Sequence, residues 1–260
     1  MKRTFAALAI LLATAVAAHG DDKQQPEIVW HGQSFFEIVS GAGTRVILDP
    51  HAIEAYGRIE VKGDLILMSH LHSDHTQVDV VDDFKKVKTY NALKDPKGDG
   101  RRVEFVPVNE TLKDVKYHDV ASFHDNMGGM ERGRNGIWVL EMDGLRIVHL
   151  GDLGQQSLTD DQVKQIGGPI DVLMVPVGGI YTLNGTDAKR IVEQLMPRRY
   201  IIPMHYGTKV FDDLLPLDEF LDGFKPTLIK KFDNTNELTI DPTTAPPREP
   251  LIAVLHWEKK

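Results

Sequence analysis

Leu65-Ile66-Leu67-Met68-Ser69-His70-Leu71-His72-Ser73-Asp74-His75 runs from four apolar residues straight into three imidazoles and a carboxylate. The apolar part reads as a strand, and a helix is predicted from near Thr76. Side chains on an extended chain repeat every second residue, so His70 and His72 fall on one side and can converge on one ion. Asp74 and His75 lie past the bend. They can face a second ion, where a carboxylate offsets the repulsion between two neighbouring cations.

The first two imidazoles do not complete a site, and three later positions offer further ligands. His124 closes a predicted strand over Val115–Phe123, Asp152 follows Val148-His149-Leu150-Gly151, and His205 closes Ile201–Met204. Each sits where a strand opens into a glycine-containing loop, a place where a rigid scaffold holds functional side chains. Of the other histidines, His31 and His51 are read as ordinary hydrogen-bonded residues, and His118, His149 and His256 are assigned no function.

Around these positions, short β-branched runs alternate with turn signals. Strands are predicted at Ile28–Trp30, Phe35–Val39, Arg45–Leu48, Val103–Pro107, Val172–Pro176 and Tyr200–Pro203. Gly136–Glu141 and Leu145–Leu150 flank Met142-Asp143-Gly144, and an Asp-Gly pair between alternating runs signals a hairpin. Thr186–Leu195 has helical spacing, with Ile191, Val192 and Leu195 on one side and Pro197 just beyond. Strands dominate and helices fall between them, which favours an α/β sandwich over a continuous βαβ alternation. The Pro-rich stretch Asp241–Pro250 reads as a connector to a last strand, Leu251–Trp257, within one domain spanning residues 26–260.

Composition narrows the chemistry. The 260 residues are 42% hydrophobic and 26% charged and contain no Cys, which excludes disulfide scaffolds, thiolate metal sites and lipid-modified lipoproteins. A chain this long can bury a core without a metal staple, so any metal serves chemistry. Lys2 and Arg3 precede an apolar run from Phe5 to Ala18 that is too short to span a bilayer, and the small residues Val16 and Ala18 suit cleavage after Ala18. Residues 1–18 are therefore predicted to be a Sec-type signal peptide, which places the mature chain in the periplasm or medium without a stable membrane anchor. Removing that leader takes the formal charge from −8 to −10, which works against nucleic acid as a partner and leaves a small molecule as the expected substrate.

The H-x-H-x-D-H motif at His70–His75, with His124, Gly151-Asp152 and His205 downstream, resembles the metallo-β-lactamase superfamily, in the branch of metal-dependent hydrolases similar to ascorbate-6-phosphate lactonases. The resemblance spans nearly all of the mature chain. It implies an αββα sandwich of two mixed β-sheets flanked by helices, with the site at one edge. It also implies two divalent ions, one held by His70, His72 and His124 and one by Asp74, His75 and His205, with Asp152 bridging them. Zinc is expected, with manganese the main alternative, and Asp74 and Asp152 are the expected catalytic carboxylates, acting with a water that the ions acidify. Trp30-His31-Gly32-Gln33-Ser34-Phe35 and Pro176–Thr182 also match the family, except that Gln33 stands where relatives often carry His. Asp49 is expected to hydrogen-bond behind a ligand, and Arg132, Asn135, Tyr181 and Thr182 are candidate substrate contacts.

The function implied is hydrolysis of a small ester, lactone or phosphoester. The lack of a thiolate ligand separates the chain from antibiotic-hydrolysing relatives. A nuclease-like phosphodiesterase would need a basic groove, and the sequence has no Lys/Arg-rich tract to build one. An exported metal-binding protein without catalysis would be expected to show a His-rich tract, whereas these imidazoles are dispersed to strand ends.

Overall fold

The computed structural model describes residues 24–94 and 103–257; the predicted leader, residues 1–18, lies outside them. Among the described residues, fourteen strands form two sheets that face each other across one core.

The first sheet contains β1 (Glu27–Trp30), β2 (Phe36–Val39), β3 (Arg45–Leu48), β4 (Leu65–Met68), β5 (Lys88–Asn91) and β13 (Glu237–Thr239) in the order β13-β1-β2-β3-β4-β5. The second contains β6 (Asn109–Leu112), β7 (Val115–Phe123), β8 (Arg134–Met142), β9 (Leu145–His149), β10 (Val172–Pro176), β11 (Tyr200–Met204), β12 (Ile229–Phe232) and β14 (Leu251–Leu255), ordered β12-β14-β11-β10-β9-β8-β7-β6. Both sheets mix parallel and antiparallel pairs.

The two-residue period of a strand explains the layering. In β3 and β4, Val46, Leu48, Leu65 and Leu67 enter the shared core, while Ile47, Ile66 and Met68 point to the opposite face and pack with Phe35, Val61, Val80 and Val81. That outer face is covered by short 3₁₀ turns at Glu54–Tyr56, Val78–Val80 and Phe84–Lys86 in place of α-helices. The second sheet is covered by α1 (Asp160–Ile166) and α2 (Gly185–Leu195), with a single turn, α3 (Asp218–Leu221), against α2. In α2, Ala188, Ile191, Val192 and Leu195 are buried at helical spacing, Asn184 caps the start, and Met196 adopts a left-handed conformation at the end.

Three sequence expectations are corrected. The helix from Thr76 is replaced by two separate 3₁₀ turns, Val78–Val80 and Phe84–Lys86: Val78, Val80 and Val81 are poor helix formers, and Asp83 turns left-handed with φ 52°. The strand Val103–Pro107 reduces to a bridge between Leu93 and Phe105, flanked by Lys94 N–H to Glu104 O and Val106 N–H to Ala92 O. The last strand stops at Leu255, two residues before Trp257.

The topology brings the ends of several strands to one edge. β7, β9, β10 and β11 run in the same direction, because β7 and β9 are each antiparallel to β8 and the other pairs are parallel. The C-terminal end of β4 meets this edge from the other sheet: Gly136 N–H of β8 donates to Ser69 O at 2.8 Å. A Cβ at Gly136 would sit 2.2 Å from Ala92 Cβ, so no larger residue allows the two sheets to approach this closely. Gly136→Ala is expected to destabilise the chain by about 1–3 kcal/mol, seen as a lower urea midpoint with an unchanged slope.

Candidate metal centre

The seven sequence-predicted ligands arrive at the shared edge from four structural anchors. His70, His72, Asp74 and His75 follow β4; His124 follows β7; Asp152 lies three residues past β9; His205 follows β11. His70, His75, His124, Asp152 and His205 are buried, Asp74 is partly buried and His72 is exposed, so the cluster opens to solvent on the His72–Asp74 side.

The cluster converges on one carboxylate oxygen. Asp152 Oδ2 lies 3.1 Å from His205 Nε2, 3.2 Å from His75 Nε2, 3.3 Å from His124 Nε2 and 3.8 Å from His70 Nε2. His70 Nε2 and His72 Nδ1 stand 3.0 Å apart, and His75 Nε2 is 3.6 Å from Asp74 Oδ2. Two nitrogen ligands of a tetrahedral ion, each about 2.0–2.1 Å from it, stand about 3.4 Å apart, so these separations suit donors that share a cation. His70, His72 and His124 each offer a ligand atom within 4.8 Å of the others, and so do Asp74, His75 and His205. Both nitrogens of His75 are buried without a hydrogen bond, although carboxylates stand on both sides of the ring. A chain of all-nitrogen and oxygen donors with orphaned buried imidazoles therefore fits divalent metal.

Electrostatics reinforce this arrangement. Burial opposes charge on Asp152, but the facing His205 and His75 outweigh it and hold its pKa well below the usual carboxylate range. Burial also opposes charge on His75, where Asp152 and Asp49 prevail and raise its pKa well above the usual histidine value. His70 goes the other way: burial, then the neighbouring His75, push its pKa well down, leaving a neutral ring with a lone pair to donate.

Asp49 stands behind the candidate ligands. Its Oδ1 accepts from Ser69 N–H and its Oδ2 from Ser69 Oγ–H, both at 2.6 Å, and its Oδ2 lies 3.1 Å from His75 Nδ1. Ser69 Oγ is also 2.9 Å from His70 Nδ1. One set of protons satisfies all of these atoms: His70 Nδ1–H donates to Ser69 Oγ, Ser69 Oγ–H donates to Asp49, and His70 Nε2 is left bare toward the centre.

Of the four candidate substrate contacts, Asn135 has a different place. It is fully buried: its amide donates to Ser122 Oγ at 2.8 Å and Leu150 O at 2.9 Å, and its Oδ1 accepts Asp152 N–H at 2.9 Å. Its amide is engaged in holding Asp152 and is not presented to a substrate. Thr182 Oγ1 reaches to 3.5 Å from His205 Nδ1, while Arg132 and Tyr181 pair at the surface.

Other positioning residues were not anticipated. Ser34 Oγ donates to Asp152 Oδ1 at 3.1 Å. His149, assigned no role from sequence, accepts Gly151 N–H on Nδ1 at 3.1 Å and donates from Nε2 to Ser34 O at 2.9 Å, which fixes its tautomer and ties the Asp152 turn to β1's loop. Gln33, left-handed at φ 47°, offers its carbonyl to Trp30 Nε1–H and His205 N–H. The polar residue types were visible in the sequence, but a left-handed non-glycine residue has no sequence signature. A cleft of about 910 Å³ lined by residues including His31, Glu37, Arg45 and Trp257 lies apart from the cluster, and none of the seven ligand candidates lines it.

Residues 27–205 match the family model described as a Beta-lactamase superfamily domain. The chain is 30% identical over 192 residues to a UPF0173 metal-dependent hydrolase from Thermococcus onnurineus, covering 68% of this chain and 83% of the relative. It is 31% identical over 201 residues to one from Thermus thermophilus, covering 70% and 84%. A solved structure from Thermotoga maritima, assigned to the Zn-dependent hydrolases of the metallo-β-lactamase superfamily, is 33% identical with a TM-score of 0.63, covering 88% of this chain and 97% of that one.

The pKa pattern predicts acid sensitivity of the metal-free chain. Burial pushes His51 down from 6.5 to about 4, so the unfolded chain takes up this proton first as pH falls. The stability His51 contributes is present above pH 6.5 and lost progressively toward pH 4, by about 3 kcal/mol in total. Urea midpoints measured between pH 7 and pH 4.5 are expected to fall, with a shallower fall in His51→Gln.

Proposed function

Since the chain belongs to the metallo-β-lactamase superfamily and is a metal-dependent hydrolase, we propose that its centre takes two divalent ions and cleaves a small ester, lactone or phosphoester. The observation that carries this reading is Asp152 Oδ2, set 3.1–3.8 Å from four imidazole nitrogens that divide between the two candidate ligand groups. His70, His72 and His124 form one candidate group and Asp74, His75 and His205 another, while a third, Asp49, His70 and His75, lies across them; Asp152 would be shared between the first two. When bound, two divalent ions supply Lewis acidity that acidifies a water and polarises the scissile bond.

The chain's own residues supply the rest. Asp152 is held ionised and is anchored by Ser34 on Oδ1 and by Asn135 through its backbone, so Oδ2 stays aimed into the centre. Asp74 is the solvent-facing carboxylate of the cluster, its side chain 38% exposed, and is placed to accept a proton from an incoming water and return it to the leaving oxygen. The Asp49–Ser69 pair keeps His70 Nε2 free to donate its lone pair. In ester cleavage the carbon–oxygen bond breaks, water adds OH to the acyl carbon, and its proton goes to the alcohol.

All protein donors are imidazole or carboxylate, which suits zinc, with manganese as the alternative. The formal net charge of −8 for the whole chain favours a small substrate over nucleic acid. Export by the leader at residues 1–18 belongs to this proposal and rests on sequence; among the described residues, no helix is long and apolar enough to cross a membrane.

Purified chain assayed on a panel of lactones, carboxylic esters and phosphoesters with zinc or manganese is expected to turn over at least one class and to stop on exhaustive chelation. His70→Ala and Asp152→Ala are each expected to lower kcat/KM by about 100-fold or more with near-native circular dichroism. Elemental analysis should give two ions per chain, falling to about one in His72→Ala; full activity in either variant or after chelation rejects the mechanism.

A further inference from the structure

Among the described residues, seven large apolar side chains are exposed, and six of them, Met127, Met130, Ile180, Tyr181, Val210 and Leu215, lie on three loops beside the metal centre. Scattered exposed apolar residues need no explanation, but this concentration does. The loops follow His124, β10 and His205, and they are joined into one rim. Arg132 Nη2 donates to Ile180 O at 3.0 Å while its guanidinium lies 5.0 Å from the centre of the Tyr181 ring. Gly178 N–H donates to His205 O at 3.0 Å, Leu215 N–H donates to Gly178 O at 2.9 Å, and Thr182 Oγ1 touches His205 Nδ1 at 3.5 Å. Under the first loop, Asp125 gathers the backbone N–H groups of Met127, Gly129, Glu131 and Arg132 at 2.7–3.0 Å, so Met127 and Met130 stand on a braced turn.

Ile180 is the telling residue. It is β-branched yet left-handed at φ 53°, and 52% exposed. It therefore combines backbone strain with apolar exposure and no packing return, a combination that folding alone does not favour.

Resting on the hydrolase reading above, we propose that the substrate carries an apolar chain or ring next to its scissile bond, and that Met127, Met130, Ile180, Tyr181 and Leu215 bind that apolar part. Methionine and tyrosine suit this role: the thioether chains adapt to an irregular ligand, and the ring, backed by Arg132, offers a flat apolar face. The continuity of the rim with His124, Thr182 and His205 sets the occupant as the substrate's own apolar portion.

The test is the affinity of the zinc-loaded chain for butyrate, hexanoate and octanoate by calorimetry, with sedimentation run in parallel. Half-burying each added methylene gives about a twofold gain, so octanoate, four methylenes longer, is expected to bind roughly 15-fold tighter than butyrate. In Met130→Asn/Ile180→Asn this gradient should collapse, while the melting temperature holds or rises because the strain at Ile180 is relieved. Equal affinity for all three acids in a chain that hydrolyses short esters overturns the inference and leaves the hydrolase reading intact. A graded affinity in a chain that hydrolyses none of the panel supports the apolar rim and rejects the hydrolase reading. A stable dimer, or retention on phosphatidylcholine vesicles, that the double variant abolishes overturns the inference by assigning the rim to a second copy or to a bilayer.

Discussion

One carboxylate oxygen, Asp152 Oδ2, organises this molecule's chemistry. An ionised group buried in protein is costly unless it is matched by positive charge, and here it is ringed by imidazoles at 3.1–3.8 Å. Those imidazoles come from both sheets, so the position of Asp152 commits the sandwich to one relative placement of its halves. Ser34, on the loop after β1, donates to the carboxylate itself, while Asn135 of β8 accepts the backbone N–H of Asp152.

Ser69 performs the corresponding task for the first sheet. Its N–H and hydroxyl bind Asp49, its hydroxyl reaches His70, and its carbonyl accepts Gly136 N–H across the gap between sheets. The residue before the ligand motif thus couples three things: the tautomer of His70, the burial of Asp49, and the closeness of the two sheets. Serine has the donor and acceptor count for this, and an alanine in its place would leave a buried carboxylate oxygen without its hydroxyl partner.

The candidate ligand cluster and the core strands were legible because their signals are short-range and redundant. Three imidazoles and a carboxylate at His70–His75, an Asp-Gly hairpin at Asp143-Gly144, and continuous apolar runs at Leu65–Met68 and Val172–Pro176 each point to one conformation. The edge strands were not legible: β6 is Asn-Glu-Thr-Leu and β13 is Glu-Leu-Thr, both too short and polar to alternate, and both exist because a neighbour offers hydrogen bonds. α1 was missed although its Thr159–Gln162 capping box was readable. The role of Asn135 inverted between sequence and structure because position along the chain placed it near the site, while burial decided which way its amide works.

Among the described residues, four of the eight left-handed non-glycine residues lie at this one edge, the others being ordinary turn and helix-end positions. His205 at φ 50°, Asp49 at φ 45° and Gln33 at φ 47° all adopt a conformation that non-glycine residues disfavour, and each is held by hydrogen bonds at this edge: the Gln33 carbonyl accepts from His205 N–H and Trp30 Nε1–H, and the Asp49 carboxylate accepts from Ser69. Such strain persists where surrounding contacts over-determine it, so the scaffold is rigid enough to impose geometry on its ligands. Ile180 shows the same strain without any side-chain contact to the cluster, its carbonyl tied to Arg132. The fold therefore places two kinds of constrained residue at one edge, those aimed inward at the metal centre and one aimed outward at whatever approaches it.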